Sequence, residues 1–189
     1  MNQAPQTLLK LLQNGAAKCA GRLGKLSFST WELDTLSLLP GSRESFAELA
    51  PAAGEDHFGT FLSAPGAGFV VIFPPKSGFL IANRFTLAGA DPVDALAERE
   101  SKVLAEVSAI IVNAIAEVLA AAGSQALILS APQSLRGSQK EIARLAQEKH
   151  AAQSKISWTA YARFKTPTFS SHFELLIFLD AKLFGLAQK

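Results

Sequence analysis

Cysteine occurs once in the 189 residues, at Cys19, so no disulfide can form within the chain. That usage fits a reducing compartment. Cys19 sits among Ala16, Ala17, Ala20 and Gly21, the setting of a small buried thiol. Charge is also scarce: Asp, Glu, Lys and Arg form 18% of the chain, against about 25% in ordinary soluble domains. Apolar residues reach 49%, too many for a disordered chain, and the surplus must enter a core or a partner interface. The net charge is only +2, and the basic residues are scattered without aromatic platforms between them, so nucleic acid is not an expected partner.

Long apolar runs are missing as well. No unbroken stretch of about 20 apolar residues occurs; Val103 to Ala122 comes nearest and is interrupted by Glu106, Asn113 and Glu117. The first residues lack the basic-then-apolar order of a secretory signal. A cytoplasmic protein without membrane insertion is therefore expected. No acidic residue precedes Glu32, and the apolar residues before it are spaced as in a helix docked on its own domain. Catalytic signatures fail in turn. His57, His150 and His172 have no metal-ligand spacing, and His172, beside Phe173 and Glu174, reads as structural or exposed. No phosphate loop, nucleophile elbow or dinucleotide fingerprint is present. Neither a metal site nor a cofactor is expected.

What is there reads as an α/β chain of one domain, or of two equivalent halves sharing one core. Leu8, Leu9, Leu11, Leu12, Ala16, Cys19 and Leu23 recur at helical spacing, with Gly24 as a stop. Lys25 to Thr35 alternates as a strand does, and Pro40-Gly41 marks a turn. Phe58–Ser63 and Phe69–Phe73 form a hairpin around the turn sequence Ala64–Gly68. Ser77 is expected to cap a short helix ending at Phe85. The clearest element is a helix from Asp91 to Ala122, with Asp91 at its N-cap, Pro92 in its first turn and Gly123 as its stop. Ala126–Ser130 then reads as a strand ended by Pro132, and Gly137–Gln153 as an exposed helix or long excursion. Strands Ile156–Lys165 and Phe173–Leu179 follow, joined through Pro167, and the tail Ala181–Leu186 is expected to pack back on the body.

The helix repeats with an echo. Asn14 lies ahead of Gly24 and a strand-like run just as Asn113 lies ahead of Gly123 and another. With matching strand pairs in each half, the echo predicts a pseudo-twofold domain of long helices on a mainly antiparallel sheet, its halves about 1–90 and 91–189. The second helix carries Lys102, Glu106, Asn113 and Glu117 close to one face. Such a stripe in an arbitrary protein is a solvated helix face.

The stretch Leu104-Ala-Glu-Val-Ser-Ala-Ile-Ile-Val-Asn, followed by Gly123, a strand and Pro132, resembles the signature helix of the CheC/CheX/FliY chemotaxis-phosphatase family. That pattern runs Asp or Ser, Glu, Asn, then a distant Pro. Glu106 takes the Glu position and Pro132 the Pro position, whereas Ala109 stands at the Asn position and Lys102 at the Asp or Ser position. The resemblance is tight over residues 100–132 and loose elsewhere, and it implies a CheC-like fold. In the family, dephosphorylation of the response regulator CheY is attributed to the Glu, which engages the regulator, and the Asn, whose amide orients the attacking water. Phosphoryl transfer to water needs a positioned nucleophile, and alanine has no donor or acceptor with which to position it. A second motif copy on the first helix would fall on Thr7 and Lys10, so that copy is not intact. FliM's middle domain is similar in fold, lacks this catalysis and serves as a binding module.

The resemblance therefore implies a signal-transduction module that binds a CheY-like receiver domain or a flagellar-switch component. Glu106 is its inherited catalytic residue, and Lys102, Ala109, Asn113 and Pro132 are its partner-binding positions. The alternatives are an active phospho-aspartate phosphatase using Glu106 with a substitute amide such as Asn113, and a FliM-like structural or self-associating domain. Glu106, Lys102 and Asn113 are expected on one exposed stripe.

Overall fold

The computed structural model describes residues 3–41, 55–86, 96–123 and 126–184. Among these, four α-helices pack on a six-stranded, wholly antiparallel sheet. The helices are α1 (Gln3–Ser27), α2 (Pro75–Phe85), α3 (Leu96–Ala122) and α4 (Gln139–Ala151). The strands are β1 (Glu32–Pro40), β2 (His57–Ala64), β3 (Ala67–Phe73), β4 (Gln133–Gly137), β5 (Trp158–Thr166) and β6 (Ser171–Leu179), and a 3-10 turn covers Ala181–Phe184. Spatial order is β1-β5-β6-β3-β2-β4. Each half thus runs long helix, edge strand, hairpin. The edge strand of one half pairs with the hairpin of the other on the β1 side, where β1 lies against β5, and with β2 on the β4 side. The predicted pseudo-twofold α/β architecture is the observed one.

Side-chain alternation explains the layers. On β3, Phe69, Val71 and Phe73 join α1, α2 and α3 in the larger core, while Val70 and Ile72 point through the sheet to α4. On β6, Phe173, Leu175 and Ile177 face the first side, and Leu176 and Phe178 the second. Central strands covered on both faces read as continuous apolar runs, as these do. In α4, Ser138 caps the helix in a reciprocal capping box with Glu141, and Ile142, Ala143, Ala146 and His150 form its buried side. The segment read as an exposed helix or long excursion is therefore a helix, with one face buried.

α1 and α3 cross where the echo requires. A Cβ built on Gly15 would lie 3.3 Å from the Cα of Ile115, so the two backbones meet one residue past Ala114, the position that the echo pairs with Gly15. Residues Glu98–Ala122 are long and apolar enough to span a membrane. In the fold, Leu104, Val107, Ile111, Val112, Ala114, Ile115 and Leu119 of that helix are spent on the core.

Three local readings need correction. The strand expected at Lys25–Thr35 is the last turn of α1 followed by a bend, and β1 starts only at Glu32. Leu26 and Phe28 supplied the misleading alternation, but they are 51% and 84% exposed and face no core. Ala126–Ser130 is not a strand; it runs alongside β2, where Ser130 N–H donates to Ser63 O (2.7 Å) and Ser63 N–H to Ser130 Oγ (3.0 Å). Pro132 has no N–H for a ladder, so β4 begins after it rather than ending before it. Ser77 is not a cap: Pro74 holds that place, and Ser77 Oγ lies inside α2, accepting from His172 N–H at 3.2 Å. The hairpin, with Gly66 at φ 75°, and strands β5 and β6 match expectation to within two residues. Asp91 and Pro92 lie outside the described residues.

Candidate functional site

α3 buries one side and presents the other. Lys102, Glu106, Asn113 and Glu117 are exposed, and Ala109 sits between them, half-buried because its single methyl reaches the core edge. The spacing of four, three, four and four residues puts these groups along one line of the helix, as its geometry dictates. Pro132 is exposed but lies off this helix, in the extended segment leading to β4. Four of the five sequence-derived positions therefore share one outer face, and the fifth stands on a different element.

The end of the stripe has a counterpart on α1. Glu117 accepts two hydrogen bonds from Arg22 Nη2, at 2.7 and 3.0 Å, and pairs with Lys18 Nζ at 2.6 Å. Hydrogen bonds from Arg22 and then Lys18 hold its carboxyl down at about 2. The group is half exposed, so these contacts orient the cations more than they stabilise the fold. Beside this network a shallow groove opens between the helices, lined by Arg22, Lys25, Leu26, Ile110, Asn113 and Glu117. Asn113 thus belongs both to the α3 stripe and to the groove.

Elsewhere two buried titratable groups, Cys19 and Glu174, have structural settings. Burial drives the Cys19 thiol up to about 12, which suppresses its thiolate. Glu174, raised by burial, accepts from Gln139 Nε2 and hydrogen-bonds with Tyr161, tying the sheet to the start of α4. Among the described residues no group of three or more His, Cys, Asp or Glu comes together. The α1 edge of the face was not singled out from sequence, although the lack of any acidic residue in α1 was a usable signal.

Two long helices crossing over one face of an antiparallel sheet, each heading a helix–strand–hairpin half, define a pseudo-twofold α/β module that offers the outer sides of its helices. Among solved structures this is the CheC/CheX/FliY-like fold. FliY from Thermotoga maritima matches with a TM-score of 0.62 at 10% identity, over 98% of this chain and 93% of that one. A chain of the CheX–CheY–BeF3–Mg2+ complex from Borrelia burgdorferi matches at 0.54 and 12% identity, over 90% and 98%. The FliM middle domain from H. pylori matches at 0.56 and 11% identity, over 98% and 96%. At these identities the likeness is one of fold. No family model and no curated protein matches the chain.

Proposed function

We propose that this chain is a cytoplasmic chemotaxis or flagellar-switch module that recognises a response-regulator receiver domain through the outer face of α3, with its phosphatase chemistry degenerate. The observation that carries the reading is the exposed Glu106 with Ala109 one turn along the same face. Glu106 is exposed and free to meet a partner. At Ala109 a methyl stands where the resemblance calls for an amide, so nothing there accepts or donates to an attacking water. The match to a chain of a CheX–CheY complex supports the kind of partner.

A second reading keeps the catalysis and assigns the water to Asn113, which is exposed and lines the groove. It stands roughly 6 Å farther along the helix axis, so the partner would dock in a shifted register. A third, drawn from the FliM match, is a structural or self-associating domain.

Dephosphorylation of phosphorylated receiver domains separates the three. Ala109→Asn should raise the rate sharply, on the order of 100-fold if water positioning is the missing element. A wild type already as fast as this variant assigns the water elsewhere and favours Asn113. Receiver binding without turnover in either protein keeps the binding module, and no binding to any receiver favours the structural reading.

A further inference from the structure

The outer face of α1 differs from that of α3. α1 carries Lys10, Lys18, Arg22 and Lys25 and no acidic residue. Glu117 of α3 engages Lys18 and Arg22. Lys25 and the half-exposed Leu26 line the groove that Asn113 borders. Two residues on, Phe28 is 84% exposed with φ 49°, the left-handed region that favours glycine.

The fold holds that backbone firmly. Ser29 N–H donates to Gly24 O (3.3 Å), closing the helix end in the manner of a Schellman turn with Phe28 at the left-handed position. Arg84 Nε donates to Ser27 O (2.7 Å), and Trp31 Nε1 to Ser27 Oγ (3.0 Å). The ring itself takes no part in the core. Glycine would satisfy the turn without strain, so an aromatic ring is kept in water on a rigid mount at a cost in stability. Strain of this kind, with no role in packing, points to a contact made outside the chain.

We infer that the C-terminal end of α1 is a second docking edge, on which Lys25 and the groove cations meet an acidic partner surface while Leu26 and Phe28 cover an apolar spot on it. Charge complementarity selects the occupant: at this edge Lys18, Arg22 and Lys25 face the single carboxylate of Glu117, and the excess of positive charge favours an acidic protein surface. An anionic membrane shares that charge but needs a helix whose apolar side is free. Leu8, Leu12, Ala16, Cys19 and Leu23 of α1 are at most 2% exposed. Through Asn113 this edge continues the α3 stripe, so its partner is the receiver of the proposed function, and the inference rests on that reading.

The test measures affinity for a panel of receiver domains loaded with beryllofluoride and Mg2+, at low and high salt. Wild type is compared with Glu106→Arg on α3 and with Lys25→Glu and Phe28→Gly on α1. Both α1 variants should weaken binding about tenfold or more. Lys25→Glu should also flatten the salt dependence, and Phe28→Gly should melt at or above the wild-type temperature, which excludes misfolding as the cause. Affinity lost in Glu106→Arg but kept within about twofold in both α1 variants overturns this inference and leaves the α3 reading standing. Loss in the α1 variants alone supports the edge and overturns the α3 reading. No wild-type binding to any receiver overturns both, and capture on phosphatidylglycerol vesicles that Phe28→Gly abolishes assigns the edge to a membrane instead.

Discussion

α1 and α3 hold equivalent places in the two halves, and their inner faces do the same work. Leu8, Leu12, Ala16, Cys19 and Leu23 on one, and Leu104, Val107, Ile111, Ile115 and Leu119 on the other, are small or branched residues buried against the same sheet face. Their outer faces have diverged. Thr7 matches Glu106, Lys10 matches Ala109, Asn14 matches Asn113, and Lys18 matches Glu117, with all but Ala109 exposed. The last pair meets across the pseudo-axis as an ion pair. Packing constrains the inner positions and leaves the outer ones free, so partner recognition is the pressure that the outer residues can answer.

The contrast is broken most forcefully from inside. Ile111 is 0% exposed at the centre of α3, and Ile111→Ala should cost about 2–5 kcal/mol in urea denaturation. A cost near zero would mean that the inner face is not the packed side.

The second test compares the two faces of the sheet. His150 on α4 is 0% exposed, stacks on Phe178, and has both ring nitrogens without a hydrogen-bond partner. Burial lowers its affinity for a proton, against the pull of Asp180. A histidine with a lowered folded value contributes stability above its unfolded value, 6.5, and that contribution is lost as pH falls from there toward the folded value. Wild-type stability should therefore drop between pH 7 and pH 5, with a limiting slope of about 1.4 kcal/mol per pH unit from this group. His150→Leu should flatten that part of the profile. An unchanged profile would show that another group titrates there.

The smallest effect is expected on the outer stripe. Glu106→Ala should change folding stability by no more than about 0.5 kcal/mol, as surface substitutions do, while altering receiver affinity. A larger loss would make Glu106 a structural residue and end its candidacy.

Much of the fold was legible because its signals are local and periodic. The hairpin β2–β3, the amphipathic α3 and the glycine-terminated echo of the two helices can be read from spacing alone. The errors share one cause. Leu26 and Phe28 look like strand residues by their chemistry, and only their exposure reveals that nothing packs on them. Ala126–Ser130 looks like a strand for the same reason, yet Leu127 and Leu129 lean on the core while Ile128, at 79% exposure, faces away and no ladder forms. Periodicity reports which side is apolar and not what lies opposite it.

For the candidate site the division runs along the same line. The stripe of Lys102, Glu106, Ala109 and Asn113 follows from residue order, because helical geometry alone brings positions three and four apart onto one face. The grip of Arg22 and Lys18 on Glu117, the groove between the helices and the rigid mount of Phe28 could not be read that way. They join residues far apart in the chain, and they arise only where α1 and α3 cross over the sheet, at an angle and register set by packing rather than by any local pattern.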